Sequence, residues 1–133
     1  MQYLLDTNIC IYLIKKHPPE VLEKFRQHSP EEVAISIITL FELQYGVEKS
    51  QFKQRSEEAL SKFIRPFNII DQDRSSAVEA AKIRAQLELK GMPIGSYDLL
   101  IAGLAKSQEM ILVTNSTREF ERIGGLHLEN WVK

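Results

Sequence analysis

Tyr3-Leu4-Leu5-Asp6-Thr7-Asn8-Ile9-Cys10-Ile11-Tyr12-Leu13-Ile14 is the stretch on which the fold of this chain turns. Two apolar runs flank a single Asp-Thr-Asn step. The first run is short, which suits a buried strand better than a helix. The second is long enough for a helix, and Thr7 or Asn8 can cap it by accepting its orphan amide protons. Asp6 then falls at the C-terminal end of the strand. In an open α/β sheet, ligands bind beyond the carboxyl ends of the strands. Asp6 is therefore either a site residue or an acid that helps start the next helix, where acids are common.

Outward from that stretch the alternation continues. Lys15-Lys16-His17-Pro18-Pro19 is a break, and Val21, Leu22 and Phe25 recur at helical spacing until His28-Ser29-Pro30. Residues 32–36 read as a second buried strand. Residues 37–48 read as a helix with Ser36 or Thr39 near its cap and Gly46 as a weak point. A helix over 57–64 stops at Pro66, and residues 67–71 form a third strand. Residues 75–90 are rich in strong helix formers, with Gly91 and Pro93 ending them. Gly95-Ser96 opens a helix over 97–107. Residues 110–114 form a fourth strand, a short helix surrounds Arg118-Glu119-Phe120, and residues 127–129 form a weak fifth strand. Strands alternating with helices predict an α/β fold, a three-layer α/β/α sandwich around a parallel sheet. No repeat, low-complexity segment or linker interrupts it, so one domain over 1–133 is expected.

The composition narrows the function classes. A chain of 133 residues with 44% hydrophobic content can bury one proper core. Seventeen basic against eighteen acidic residues leave a net charge of -1, so a polyanionic partner needs a local basic patch. Cys10 is the only cysteine; it excludes an internal disulfide, fits a reducing compartment and reads as a small core residue. No apolar run approaches the roughly 20 residues of a membrane span, and the N-terminus lacks the basic flank and cleavage site of a signal peptide. A cytoplasmic protein is expected.

Two further acids sit in surroundings that do not suit them. Glu42 lies within Ile37-Ile38-Thr39-Leu40-Phe41-Glu42-Leu43, apolar almost all round, where a carboxylate faces a desolvation cost. Asp98 precedes Leu99-Leu100-Ile101-Ala102 in the first turn of its helix. A tilted, solvated side chain would account for Glu42, and a helix-dipole contact for Asp98. In a doubly wound sheet, however, these segments and the end of strand one can converge on one pocket. Clustered carboxylates repel at low dielectric, and a divalent cation relieves that. All-oxygen ligands point to magnesium or manganese; His17, His28 and His127 are scattered, and zinc spacing is missing. Such a site suits phosphodiester hydrolysis.

At this point four motifs occur in order: Asp6-Thr7-Asn8; Ile38-Thr39-Leu40-Phe41-Glu42-Leu43 with Tyr45-Gly46; Ile94-Gly95-Ser96-Tyr97-Asp98 before Leu100-Ile101-Ala102; and Leu112-Val113-Thr114-Asn115 before Arg118-Glu119-Phe120. Together, over essentially the whole chain, they resemble the PIN-domain ribonucleases, and more narrowly the VapC-type toxins of toxin-antitoxin pairs. The resemblance implies an α/β/α sandwich, Mg²⁺-dependent endoribonuclease activity in which Mn²⁺ can substitute, and a homodimer. It also implies an RNA substrate, structured RNA such as tRNA, whose cleavage inhibits translation, and a VapB-type antitoxin that occupies the active-site groove. By position it places the family's three core acids, the metal ligands, on Asp6, Glu42 and Asp98. Many PIN domains carry a fourth acid or amide where this chain has Ser116; Glu119, an acidic position in many VapC-like members, is taken as the fourth. Thr7, Asn8, Thr114 and Asn115 are candidates for contacts to phosphate or water, although Thr114 and Asn115 can equally cap the following turn.

RNA would also need cations near the pocket. Lys15, Lys16, His17, Lys49, Lys53, Arg55, Arg118 and Arg122 are the candidates, few of them expected to touch phosphate. Trp131 reads as a core or dimer anchor. A receiver-like phosphorelay module would want a pair of acids after strand one and a Lys ending strand five, and this chain has neither. A PIN domain that binds without cutting is disfavoured by the three acids. A dinucleotide-binding fold lacks its GxGxxG, and a DxDxT phosphatase is excluded by Asn8.

Overall fold

The computed structural model describes residues 2–133. Strands β1 (Tyr3–Leu5), β2 (Val33–Ser36), β3 (Asn68–Ile70), β4 (Ile111–Val113) and β5 (His127–Glu129) form one sheet in the order β3-β2-β1-β4-β5. Every neighbouring pair is parallel. The helices are α1 (Thr7–Lys15), α2 (Pro19–Arg26), α3 (Ile37–Glu48), α4 (Lys53–Ile64), α5 (Arg74–Leu89), α6 (Ser96–Ser107) and α7 (Thr117–Phe120). This is the expected α/β/α sandwich. None of the described helices is long and apolar enough to cross a membrane.

Strand alternation sorts the core. Leu4, Ala34 and Leu112 stand level across β1, β2 and β4 and face α5 and α6, packing with Ile83, Leu87, Ile101 and Leu104. Leu5, Ile35 and Val113 point the other way, onto Ile9, Leu13, Val21 and Leu60 from α1, α2 and α4. Both faces of a parallel sheet are thus covered, so its strands read as unbroken apolar runs. Helix α3 leaves β2 at the sheet's carboxyl edge and serves both layers: Ile38 packs on the first core, Leu43 and Val47 in the second. Phe120 of α7 and Trp131 near the C-terminus are buried; Trp131 is a core anchor stacked on His28, centroids 5.4 Å apart.

Packing between α5 and α6 depends on one glycine. A Cβ on Gly103 would stand 2.7 Å from both the Ala80 Cβ and the Ser76 carbonyl oxygen, closer than real contacts allow. Helix α5 ends as its sequence predicts. Gly91 adopts φ +68°, its amide donates to Glu88 O and that of Met92 to Leu87 O, a Schellman arrangement.

Three local expectations change. Neither Thr7 nor Asn8 caps α1; Asp6 does, its Oδ1 accepting from Ile9 N at 3.0 Å. Residue 32 leaves the second strand for a 3-10 turn (Pro30–Glu32), because the Glu32 carboxylate reaches back to Ser29 N at 3.1 Å. Helix α4 begins at Lys53, a turn before residue 57. Its first turn is solvated and polar, so no apolar period marks it.

Candidate active site

The chain order of this sheet reverses at β1: β2 and β3 lie on one side, β4 and β5 on the other. Where strand order reverses, the crossovers diverge and leave a crevice outside the carboxyl ends. Asp6 stands in that crevice at the end of β1, and Thr114 at the end of β4.

Asp6 is 5% exposed, and each of its oxygens has a partner. Oδ1 caps α1 through Ile9 N, and Oδ2 accepts the Thr114 hydroxyl at 2.5 Å. Thr114, itself fully buried, accepts from Ser116 N at 2.9 Å, which fixes its rotamer. A carboxylate has about four lone-pair positions, so Asp6 is oriented and still has acceptor capacity. Burial is the main influence on its acidity and pushes the pKa up to about 6. The two hydrogen bonds pull it down, and the charges of Asp98 and Glu42 push it up further.

Asp98 sits in the first turn of α6, half-buried. Its carboxyl is also raised above the usual range, first by burial, then by the charges of Glu119 and Glu42. Glu42, half-buried on α3, accepts the Thr7 hydroxyl on Oε1 at 2.6 Å. Glu119 is exposed on the four-residue α7. The fold therefore brings all four acids of the sequence reading to one crevice, each within reach of another's charge. Among the described residues, no three His, Cys, Asp or Glu side chains are drawn together into a finished metal cage. The carboxylates stand apart, as like charges do. An oxygen-only, mutually repelling donor set that runs from buried Asp6 to exposed Glu119 fits a hard divalent cation.

The polar candidates divide. Thr7 turns to Glu42 and Thr114 to Asp6, so both serve carboxylates; Asn8 and Asn115 are exposed, and Asn115 Oδ1 accepts from Asn130 at 3.4 Å. Of the cations, Lys53 pairs with Glu48 at 2.8 Å, Lys49 lies over the Tyr45 ring, and Arg55 lies over Phe52. Arg122 donates to Pro93 O at 3.5 Å. Lys15, Lys16, His17 and Arg118 are exposed. Fully buried Thr39 and Ser36 are site neighbours that the sequence shows only as cap residues: Thr39 Oγ1 is 3.4 Å from both Thr7 Oγ1 and Ser36 Oγ. The Ser36-x-x-Thr39 spacing signals a cap, but nothing local points from it to α1.

Residues 3–126 match the family model described as PIN domain. The chain belongs to the PIN-domain family. It is 44% identical to a Shigella flexneri relative named tRNA(fMet)-specific endonuclease VapC, over 98% of each chain. A crystal structure of DNA-bound VapBC from Salmonella typhimurium superposes with a TM-score of 0.93 at 42% identity, covering 99% of each chain. One of VapBC2 from Rickettsia felis, bound to a promoter DNA fragment, gives 0.91 at 42% identity, covering 99% of this chain and 100% of that one. PIN-domain nucleases depend on divalent metal, in keeping with the oxygen donors assembled here.

Proposed function

We propose that this chain is a VapC-type toxin, a Mg²⁺-dependent endoribonuclease, with Mn²⁺ able to substitute, that cuts tRNA and so inhibits translation. A tRNA substrate follows the Shigella flexneri relative, whose name specifies tRNA(fMet). The observation that carries the reading is the convergence of Asp6, Glu42, Asp98 and Glu119 on the crevice between β1 and β4. Asp6, Asp98 and Glu42 would hold the cation, with Glu119 completing the set at the solvated rim. When bound, a divalent cation supplies positive charge that activates water and stabilises the leaving oxygen of a phosphodiester. The chain's own residues orient and shield. Thr114 and the α1 cap hold Asp6 in one rotamer, and the covered sheet keeps water from its buried side. Exposed Asn8 and Asn115 offer side-chain N–H groups to phosphate oxygens, with Lys15, Lys16 and Arg118 as counter-charges.

The same reading makes residues 1–133 a single cytoplasmic domain that works as a homodimer and is silenced by a VapB-type antitoxin. The Salmonella and Rickettsia structures are toxin-antitoxin complexes. An apolar groove of about 240 Å³, lined by Ile11, Ile14, Leu43, Val47 and Leu60, reaches Glu42. It suits an apolar helix whose basic residue enters the acidic cluster in place of the cation. Incubating purified protein with a panel of tRNAs, with and without Mg²⁺, tests the activity. Cleavage of tRNA that stops with chelator is expected; failure to cut any tRNA would overturn the substrate, and cutting in chelator the metal dependence.

A further inference from the structure

Glu42 holds its place through a residue on another helix. Thr7 is the first residue of α1, and its hydroxyl is 2.6 Å from Glu42 Oε1 on α3. A hydroxyl has one proton and a carboxylate accepts only, so Thr7 donates to Glu42. Thr7 Oγ1 then remains an acceptor, and Thr39 Oγ1 stands 3.4 Å from it, with Ser36 Oγ 3.4 Å beyond. Ser36 is pinned in turn, because its Oγ accepts Thr39 N at 3.0 Å as the cap of α3. Ser36 and Thr39 are fully buried, so these hydroxyls are covered from bulk water. Polar groups in such surroundings must be partnered, and the short bond of this set is the one from Thr7 to the Glu42 carboxylate. The row ends at the carboxylate.

We infer that Thr7 is a positioning residue for Glu42: its hydroxyl ties one carboxylate oxygen to the start of α1, and thereby fixes the distance between Glu42 and Asp6, the cap of that same helix. This rests on the proposed role of the acids as the cation site. A glutamate has three side-chain torsions to order, and that ordering costs entropy when a ligand binds. Thr7 has ordered Glu42 beforehand. Asp6 receives the corresponding service from Thr114, so Asp6 and Glu42 are each held by a threonine hydroxyl from a different element. Such supporting hydrogen bonds carry about 10–100-fold of metal affinity or activity in metal sites generally.

The test compares Thr7→Val, which keeps the shape and removes the hydroxyl, with Thr7→Ser, which keeps the hydroxyl. Three readouts are needed: Mn²⁺ affinity by calorimetry, kcat and KM on a cleavable tRNA, and melting temperature. Thr7→Val is expected to weaken Mn²⁺ binding about tenfold and lower kcat about tenfold, with KM for RNA within about twofold. Thr7→Ser should return both values to within about threefold of the parent. In a Glu42→Ala background, Thr7→Val should have no further effect on Mn²⁺ affinity. A rise in KM alone would overturn the proposal in favour of a direct contact between Thr7 and RNA. Unchanged Mn²⁺ affinity, or an equal loss in the Glu42→Ala background, would also overturn it. Should Thr7→Val fail to fold, Thr7→Ala in both backgrounds decides in its place. Asp6→Ala separates the two levels: if it leaves Mn²⁺ affinity intact, the site reading itself fails, whereas loss there with none in Thr7→Val removes only Thr7.

Discussion

Thr114, the first residue beyond β4, donates its hydroxyl to Asp6 Oδ2 at 2.5 Å across the seam with β1, a bond spanning 108 residues of sequence. It ties the two sides of the crevice together at the point where the sheet reverses its strand order. Asp6 would otherwise be a buried carboxylate with one partner, its own helix cap. Thr114→Val removes the donor and the acceptor of Ser116 N at once. It is expected to cost about 2 kcal/mol of stability in urea titrations, because hydrogen bonds to charged groups are worth more than neutral ones. Cleavage should fall about tenfold. Thr114→Ser should recover most of both.

Asp6 makes the stability of the metal-free protein pH-dependent. Its pKa rises from 3.8 to about 6 on folding, so the folded state holds its proton more tightly. The stabilisation from the neutral form is complete below about pH 4 and is lost as pH rises to about 6. The difference amounts to about 3 kcal/mol at most. Asp98, raised in the same direction, adds to the slope. Asp6→Asn should therefore melt higher than the parent at pH 7.5 in chelator and lose that advantage at pH 4. Melting curves at the two pH values check it; an advantage that grows toward low pH would reverse the sign.

Metal should act as a ligand of the folded state. Saturating Mn²⁺ is expected to raise the melting temperature of the parent, since binding only the native form stabilises it by mass action. The shift should vanish in Asp6→Asn and persist, reduced, in Glu119→Gln.

The acids should rank by how firmly each is held. Asp6 is bonded on both oxygens at the end of a central strand, and Asp98 begins the long α6. Glu42 hangs from Thr7, and Glu119 rides exposed on α7. Cleavage is expected to fall most for Asp6→Ala and Asp98→Ala, clearly for Glu42→Gln and least for Glu119→Gln. Raising Mg²⁺ or Mn²⁺ should partly rescue only the last two. A Glu119→Gln variant more damaged than the others would show that the rim acid is central.

Away from the site, Gly103→Ala tests the α5–α6 contact. The added Cβ meets backbone at 2.7 Å, which a side-chain rotation cannot relieve. A loss of about 1–3 kcal/mol in chemical denaturation is expected, with kcat per folded molecule unchanged.

Local pattern determined much of this protein. The apolar runs and their spacing specify which segments are strands and which are helices, because a strand covered on both faces reads as a short unbroken apolar run whereas a helix repeats its apolar residues at period 3.6. Glycine and proline mark where they stop, as at Gly91. The acids stood out because Glu42 and Asp98 lie among apolar neighbours, a mismatch visible without coordinates. The partners of those acids were not legible. The sequence allows Asp6 either to cap a helix or to belong to a site, and the fold makes it do the first while standing beside the other acids. Thr114 and Thr7 could be read as polar residues near phosphate, yet each turns to a carboxylate 108 or 35 residues away. Those distances close only once β4 crosses over to lie beside β1 and α3 returns alongside α1. Strand order is set by the burial of whole faces against each other, and no short window of sequence carries that information.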